Sequence, residues 1–298
     1  MLLNSASLAA LNVGFRTTFN NAFNGVSPTW PRVATEVPST QGSEQYGWLG
    51  SFPKFREWLG DRVVQNLSTS DFTLKNKTFE NTVGVEREKI EDDSYGVYTP
   101  IFAQLGQASR RHPDHLVYSL FAAGFNTACY DGQYFFDTDH PGYNAAGEVI
   151  SVSNMQAGAG AAWFLLCTKN AVKPFIFQKR RDYQFTAKTS LTDDNVFHAK
   201  EFLYGVDCRV NAGYGLWQLA FGSKATLDAT NYDAARAAMG SLRGSGGQPL
   251  GIQGDLLVVP PSLEGAGRRL LTAEKDANGA DNVWRGTAEL LVVPELAA

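Results

Sequence analysis

Cysteine is scarce in this chain, and its spacing points away from cysteine chemistry. Only Cys129, Cys167 and Cys208 occur in 298 residues, an odd number with no pair at CxxC spacing. That pattern indicates neither a disulfide framework nor a zinc motif, and it predicts buried free thiols in a reducing compartment. Long apolar runs are missing too. Stretches such as 161–167 fall far short of the ~20 residues a membrane helix needs. Basic excess is absent: 26 Lys and Arg face 30 Asp and Glu, so a dedicated nucleic-acid binder is disfavoured. Arg110-Arg111 and Lys179-Arg180-Arg181 are scattered and read as solvated edges. No basic residue precedes Arg16, so the start lacks the charged segment of a secretory signal. The expectation is a soluble protein made in a cytoplasm.

Catalytic strings are equally lacking. No GxxxxGK[ST], HExxH or GxSxG occurs, and Gly158-Ala159-Gly160 opens like a dinucleotide fingerprint but has Trp163 at the third glycine position. What is present is an ordinary globular composition, 44% hydrophobic and 19% charged, long enough for a large core or two domains.

The first segment reads as an amphipathic helix, because Leu8, Leu11, Phe15, Phe19 and Phe23 recur at steps of three and four. Ser5 or Ser7 is expected to cap it, and Asn24-Gly25 to stop it in a left-handed turn. Pro28, Pro31 and Pro38 then predict an extended arm with no regular element. An apolar helix on such a tether must dock on its own body or on a neighbour.

Residues 46–93 form a distinct unit opening with YGWLGSFPKFREWLGDR at Tyr46. Phe72 and Leu74 alternate with polar residues, as do Phe79, Val83 and Val85, on either side of Lys75-Asn76-Lys77. This predicts a two-stranded ribbon with a polar turn. One thin apolar stripe cannot fold alone, so the ribbon must lie against something. The apolar residues left for assembly contacts are therefore Phe15, Phe19, Phe23, Phe72, Leu74, Phe79, Val83 and Val85.

Thr99-Pro100 starts a helical pattern that reaches Gly124. His112-Pro113-Asp114 either splits it into two helices or only kinks one rod of about 25 residues, ~38 Å long. Strands are expected at 161–167, 175–178, 197–204 and 216–221. An αβαβ alternation follows: helix 231–242, strand 256–259, a helix capped by Ser262, and strand 290–293.

The best metal candidate is Asp137-Thr138-Asp139-His140, where alternate carboxylates on an extended segment could share a cation. The competing reading, and the favoured one, is a capped turn ahead of Pro141 with His140 hydrogen-bonded locally. No catalytic, cofactor or metal residues are therefore assigned. A globular body with projecting apolar arms and no active site suggests an assembly subunit.

Particular runs resemble a known family, the major head (capsid) subunits of Mu-like bacteriophages. They are YGWLGSFPKFREWLGDR from Tyr46, NKTFENTVGVEREKIEDDSYGVYTPIF from Asn76, HPDHLVYSLFAAGF from His112 and CYDGQYFFDTDHP from Cys129. AVKPFIFQKRRD from Ala171, FLYGVDCRVNAGYGLWQLAF from Phe202 and LVVPPSLEGAGRRLL from Leu257 complete the set in family order. The resemblance implies an α+β fold of the Hong Kong 97 type. Its parts would be an N-terminal arm (1–45), an extended loop (46–93), a mainly peripheral domain with a spine helix (94–225, helix 97–124) and a mainly axial αβ subdomain (226–298).

It also implies a structural protein with no enzymatic activity and no cofactor, forming hexamers and pentamers in an icosahedral shell around double-stranded DNA held without sequence-specific binding. Scaffold, maturation protease, portal and a decoration protein would be its partners, the virion its location, and the host bacterial cytoplasm its place of assembly. Some relatives cross-link lysine to asparagine, and Lys75, Asn76 and Lys77 supply those residue types, as ordinary turns also do. The competing classes are a cellular nanocompartment shell of the same fold, or a metal-dependent hydrolase built on Asp137, Asp139 and His140.

Overall fold

The computed structural model describes residues 4–47, 49, 72–92, 94–276 and 279–297. Most of the YGWLGSFPKFREWLGDR run, which opens the expected extended loop, lies outside the described residues.

Helix α1 (Ser5–Asn24) buries Leu8, Leu11, Phe15 and Phe19, the face that the periodicity predicts. Its cap is Asn4, and not Ser5 or Ser7. The Asn4 side chain accepts from the Ser7 N–H, and the Ser7 hydroxyl accepts from the Asn4 N–H, a reciprocal capping box. Gly25 ends the helix at φ −73°, so the expected left-handed stop is replaced by a right-handed one. The proline-rich arm is also more regular than its prolines suggest. Strand β1 (Ala34–Pro38) lies at a sheet edge, where a proline removes no ladder bond.

Two larger sheets organise the chain. In the first, β1, β9 (Phe175–Lys188), β10 (Glu201–Tyr214) and β4 (Lys77–Glu86) lie in that order. The antiparallel pair β9–β10 is 14 residues long on each side, about 45 Å. Phe175, Ile176 and Phe177 of β9 and Ala212 and Tyr214 of β10 are buried at one end. Toward the other end burial alternates, so the ribbon leaves the core as an arm covered on one face. Between the strands, α4 (Asp194–Ala199) occupies part of the segment expected as strand 197–204. Lys200, at φ +56°, turns the chain out of α4 and into β10.

The expected ribbon around Lys75-Asn76-Lys77 is corrected. β3 (Thr73–Lys75) pairs with β2 (Ser43–Gln45), whereas β4 pairs along its whole length with β10. The strands flanking Asn76 are not partners, because Asn76 is used elsewhere: its N–H donates to the Gly42 carbonyl and its side chain is buried.

Helix α3 (Thr99–Ala123) is one continuous rod of 25 residues with Pro113 inside it. A proline within a helix costs about 3 kcal/mol. Burial of Phe102, Leu105, Val117, Tyr118 and Phe121, at roughly 1.5–3 kcal/mol each, outweighs that cost.

The second sheet runs β13 (Glu289–Val292), β12 (Leu256–Val259), β8 (Trp163–Leu166), β11 (Ala220–Ser223) and β7 (Met155–Gln156). All four residues of β8 and of β12 are buried, as uninterrupted apolar runs covered on both faces require. The parallel pair β12–β13 is joined across α6 (Glu264–Thr272), and α5 (Ala229–Gly240) precedes it. The αβαβ segment therefore carries no sheet of its own: β12 and β13 extend a sheet whose other strands come from before residue 225. The expected strand 216–221 is split by a 3-10 turn at Trp217–Leu219 before β11. A hairpin of β5 (His140–Tyr143) and β6 (Val149–Val152) stands beside this sheet. The short helix α2 (Arg87–Glu91) follows β4. Among the described residues, no helix is long and apolar enough to cross a membrane.

Candidate functional site

The residues singled out for assembly contacts mostly turn inward. Phe15 stacks on Phe102 at 4.2 Å and meets Tyr204 edge-on at 5.3 Å, while Phe19 packs on Phe185 at 5.2 Å. These rings, with Val85 and Ile90, form a core between α1, α3 and the outer half of the β9–β10–β4 sheet. Leu74 is buried in the larger core. Phe15, Phe19, Leu74 and Val85 are thus interior residues of their own chain, a correction to their reading as intersubunit surface. Phe23, Phe72, Phe79 and Val83 are half-buried. Arg110 lies over the Phe23 ring, and Phe79 meets His112 edge-on at 4.5 Å. Phe197, expected within a strand, instead projects from α4 at the far end of the arm and is 78% exposed.

Two polar devices lock the N-terminal arm to the body. One Asp114 oxygen on α3 accepts the N–H groups of Thr29 (2.9 Å) and Trp30 (2.6 Å). Burial raises the Asp114 carboxyl above its ordinary value, outweighing those two bonds, which pull it down. The second device centres on Gln178 and Asn76. Tyr46 donates its hydroxyl to Gln178 Oε1 (2.7 Å), and Gln178 Nε2 donates to Asn76 Oδ1 (2.8 Å) and the Leu74 carbonyl (3.1 Å). Asn76 Nδ2 donates to Ser39 Oγ (2.8 Å) and the Gln41 carbonyl (2.9 Å). Burial, with Glu44 nearby, pushes the Tyr46 hydroxyl up to about 12. Asn76 is therefore a buried hub and not a surface turn, and both ends of its amide are engaged within its own chain.

The candidate metal cluster disperses. Asp137 accepts the N–H groups of Tyr134 (3.1 Å) and Thr138 (2.7 Å), the work of a turn residue, and Asp139 is exposed. His140 is fully buried, and its Nδ1 lies 2.7 Å from Asp131 Oδ2, nine residues upstream. Cys129 donates its thiol to the other Asp131 oxygen at 3.1 Å. Burial pushes the Asp131 carboxyl up, but the bonds from His140 and Cys129 outweigh it and leave a net lowering. The sequence carries no signal for this convergence beyond the proximity of the three residues. All three cysteines are free and buried, as their spacing predicts.

What this geometry organises is an arm, a long ribbon and a body. Comparison with known proteins gives the same picture. The chain is 38% identical to the major capsid protein of Escherichia phage Mu, across 99% of this chain and 100% of the relative. It superimposes on a chain from the procapsid of bacteriophage JBD30 with a TM-score of 0.87 and 43% identity, covering 98% of this chain and 100% of that one. A chain from the JBD30 capsid decorated with minor capsid protein trimers gives a TM-score of 0.77 at 33% identity, covering 90% of each. These matches set aside the nanocompartment shell and the metal-dependent hydrolase, and they bear out the Hong Kong 97-type α+β fold. With residues 8–296 matching it, the chain belongs to the family of the Mu-like prophage major head subunit gpT.

Proposed function

We propose that copies of this major capsid protein close into an icosahedral head as hexamers and pentamers, enclosing double-stranded DNA without reading its sequence. The observation that carries this reading is the full-length correspondence with a procapsid subunit. In this reading α3 and the four-stranded sheet form the peripheral domain. The five-stranded sheet with α5 and α6 forms the axial domain, so segment 94–225 contributes strands to both. Residues 1–45 are the arm, and residues 46–93 supply the extended loop together with edge strand β4.

The half-buried Phe23, Phe72, Phe79 and Val83, with exposed Phe197 at the end of the arm, are among the apolar side chains that keep surface for a neighbouring copy. Scaffold, maturation protease and portal act during assembly in the host bacterial cytoplasm. The decorated JBD30 capsid supports a decoration protein on the finished shell. The test is electron microscopy and light scattering of the protein concentrated alone and with its scaffold. Polyhedral or tubular particles, or discrete rings, are expected. Protein that stays strictly monomeric under every such condition would exclude a shell-forming subunit.

A further inference from the structure

Cys129, Asp131 and His140 converge where the segment after α3 meets β5. A tight turn, in which Cys129 exchanges backbone hydrogen bonds with Gln133 and Gly132, sets Cys129 and Asp131 on one side. Gly132 sits there at φ +89°, a conformation that favours glycine. The His140 ring lies flat on Trp217, with centroids 4.1 Å apart and planes at 12°. One donor atom from each of the three residues lies within 4.8 Å of the other two. The His140 and Asp131 side chains are 0% and 7% exposed, and the imidazole nitrogen turned toward Asp131 is Nδ1.

We propose that Cys129, Asp131 and His140 bind one divalent cation of the zinc class. A sulfur, an imidazole nitrogen and a carboxylate oxygen form a borderline-soft donor set that suits zinc and not magnesium or calcium. Ligand distances of about 2.0–2.3 Å in a tetrahedron place donor atoms roughly 3.3–3.7 Å apart. Cys129 Sγ and His140 Nδ1 now contact different Asp131 oxygens, at 3.1 and 2.7 Å, and with all three donors within 4.8 Å of one another a cation would gather them by short side-chain shifts.

The proton balance closes. The cation replaces the Cys129 thiol proton, which leaves to solvent. A cation on Nδ1 displaces the proton shared with Asp131, and the ring stays neutral by carrying its proton on Nε2 instead. The dication, the thiolate, the carboxylate and the neutral imidazole then sum to zero, as a buried site requires. A water completes the fourth position.

The full chain, stripped with a chelator and then titrated with zinc or cobalt, tests this. Expected results are one equivalent bound per chain, a higher melting temperature with zinc, and a thiolate-to-cobalt charge-transfer band. Cys129→Ser should abolish the band, and Asp131→Asn and His140→Gln should each weaken binding at least tenfold. Alkylation in mild denaturant gives a second readout on the unaltered chain: zinc should slow modification of Cys129 but not of Cys167 or Cys208. Substoichiometric metal without the band, zinc that protects no cysteine selectively, or equal affinity in Cys129→Ser would overturn the site.

Discussion

Gly106 of α3 lies directly beneath the backbone carbonyl of Phe19 in α1: a Cβ on Gly106 would fall well inside van der Waals contact with that oxygen, and would also crowd Phe23 N–H and Ala22. The two helices approach closely because position 106 has no side chain. That approach lets Phe15 reach Phe102 and Tyr204. Gly106→Ala is therefore expected to lower stability by roughly 1–3 kcal/mol, the usual cost of overpacking. Thermal melting reads the loss, and limited proteolysis should cut residues 1–25 faster than in the parent. An unchanged melt with α1 still protected would show that the helices can separate without penalty.

Asp114 is expected to hold the arm through its two accepted backbone bonds. Asp114→Ala leaves the buried Trp30 N–H and the half-buried Thr29 N–H unpaired and should cost about 1–3 kcal/mol. Asp114→Asn keeps an accepting oxygen and should cost less. The pH profile adds a separate sign. Because the folded carboxyl titrates above the ordinary value of 3.8, its stability contribution is complete below that value. It is lost as pH rises through the raised folded value. Melting measured across the acidic range should show this component in the parent and not in Asp114→Asn. Parallel profiles for the two proteins would refute it.

Asn76 separates hub from turn. Asn76→Ala takes one bond from Gln178 Nε2 and removes the donor to Ser39 Oγ and the Gln41 carbonyl, at about 1–3 kcal/mol. Asn76→Asp should be no better, since a carboxylate cannot donate to the Gln41 carbonyl or Ser39 as Nδ2 does. A surface turn would accept either substitution with little change in melting temperature. Equal melts for all three proteins would restore the turn.

Replacing residues 72–86 with a short Gly-Ser linker distinguishes a subunit strand from a purely interfacial ribbon. A ribbon lying only on a neighbour would leave the isolated subunit's melt unchanged. β4 instead pairs with β10 from Lys77 to Glu86, and Val85 and Leu74 are buried in the subunit's own cores. Loss of cooperative melting in the unassembled subunit is the expected outcome. A preserved melt with failed shell closure would return β4 to the interface.

Local chemistry made part of this molecule legible. The spacing of Leu8, Leu11, Phe15 and Phe19 predicts the buried face of α1, Thr99-Pro100 and Gly124 bound α3, and the apolar runs at β8 and β12 read as buried strands. Each of these signals lies within one element, because side-chain period, caps and run length act over a few residues. The family resemblance added the overall architecture. Tertiary structure decided the rest. β4 finds β10 more than a hundred residues away, so its alternation reveals a strand but not a partner. Lys179, Arg180 and Arg181 read as an edge, yet β9 runs through them to Lys188 because β10 continues the ladder alongside. Asn76 looks like a turn residue until Ser39, Gln41 and Gln178 close around it. His140 sits beside Asp139 in sequence, but it is buried against Trp217 and faces Asp131. A fully buried imidazole goes to the partner that can satisfy it, and burial is a property of the whole fold.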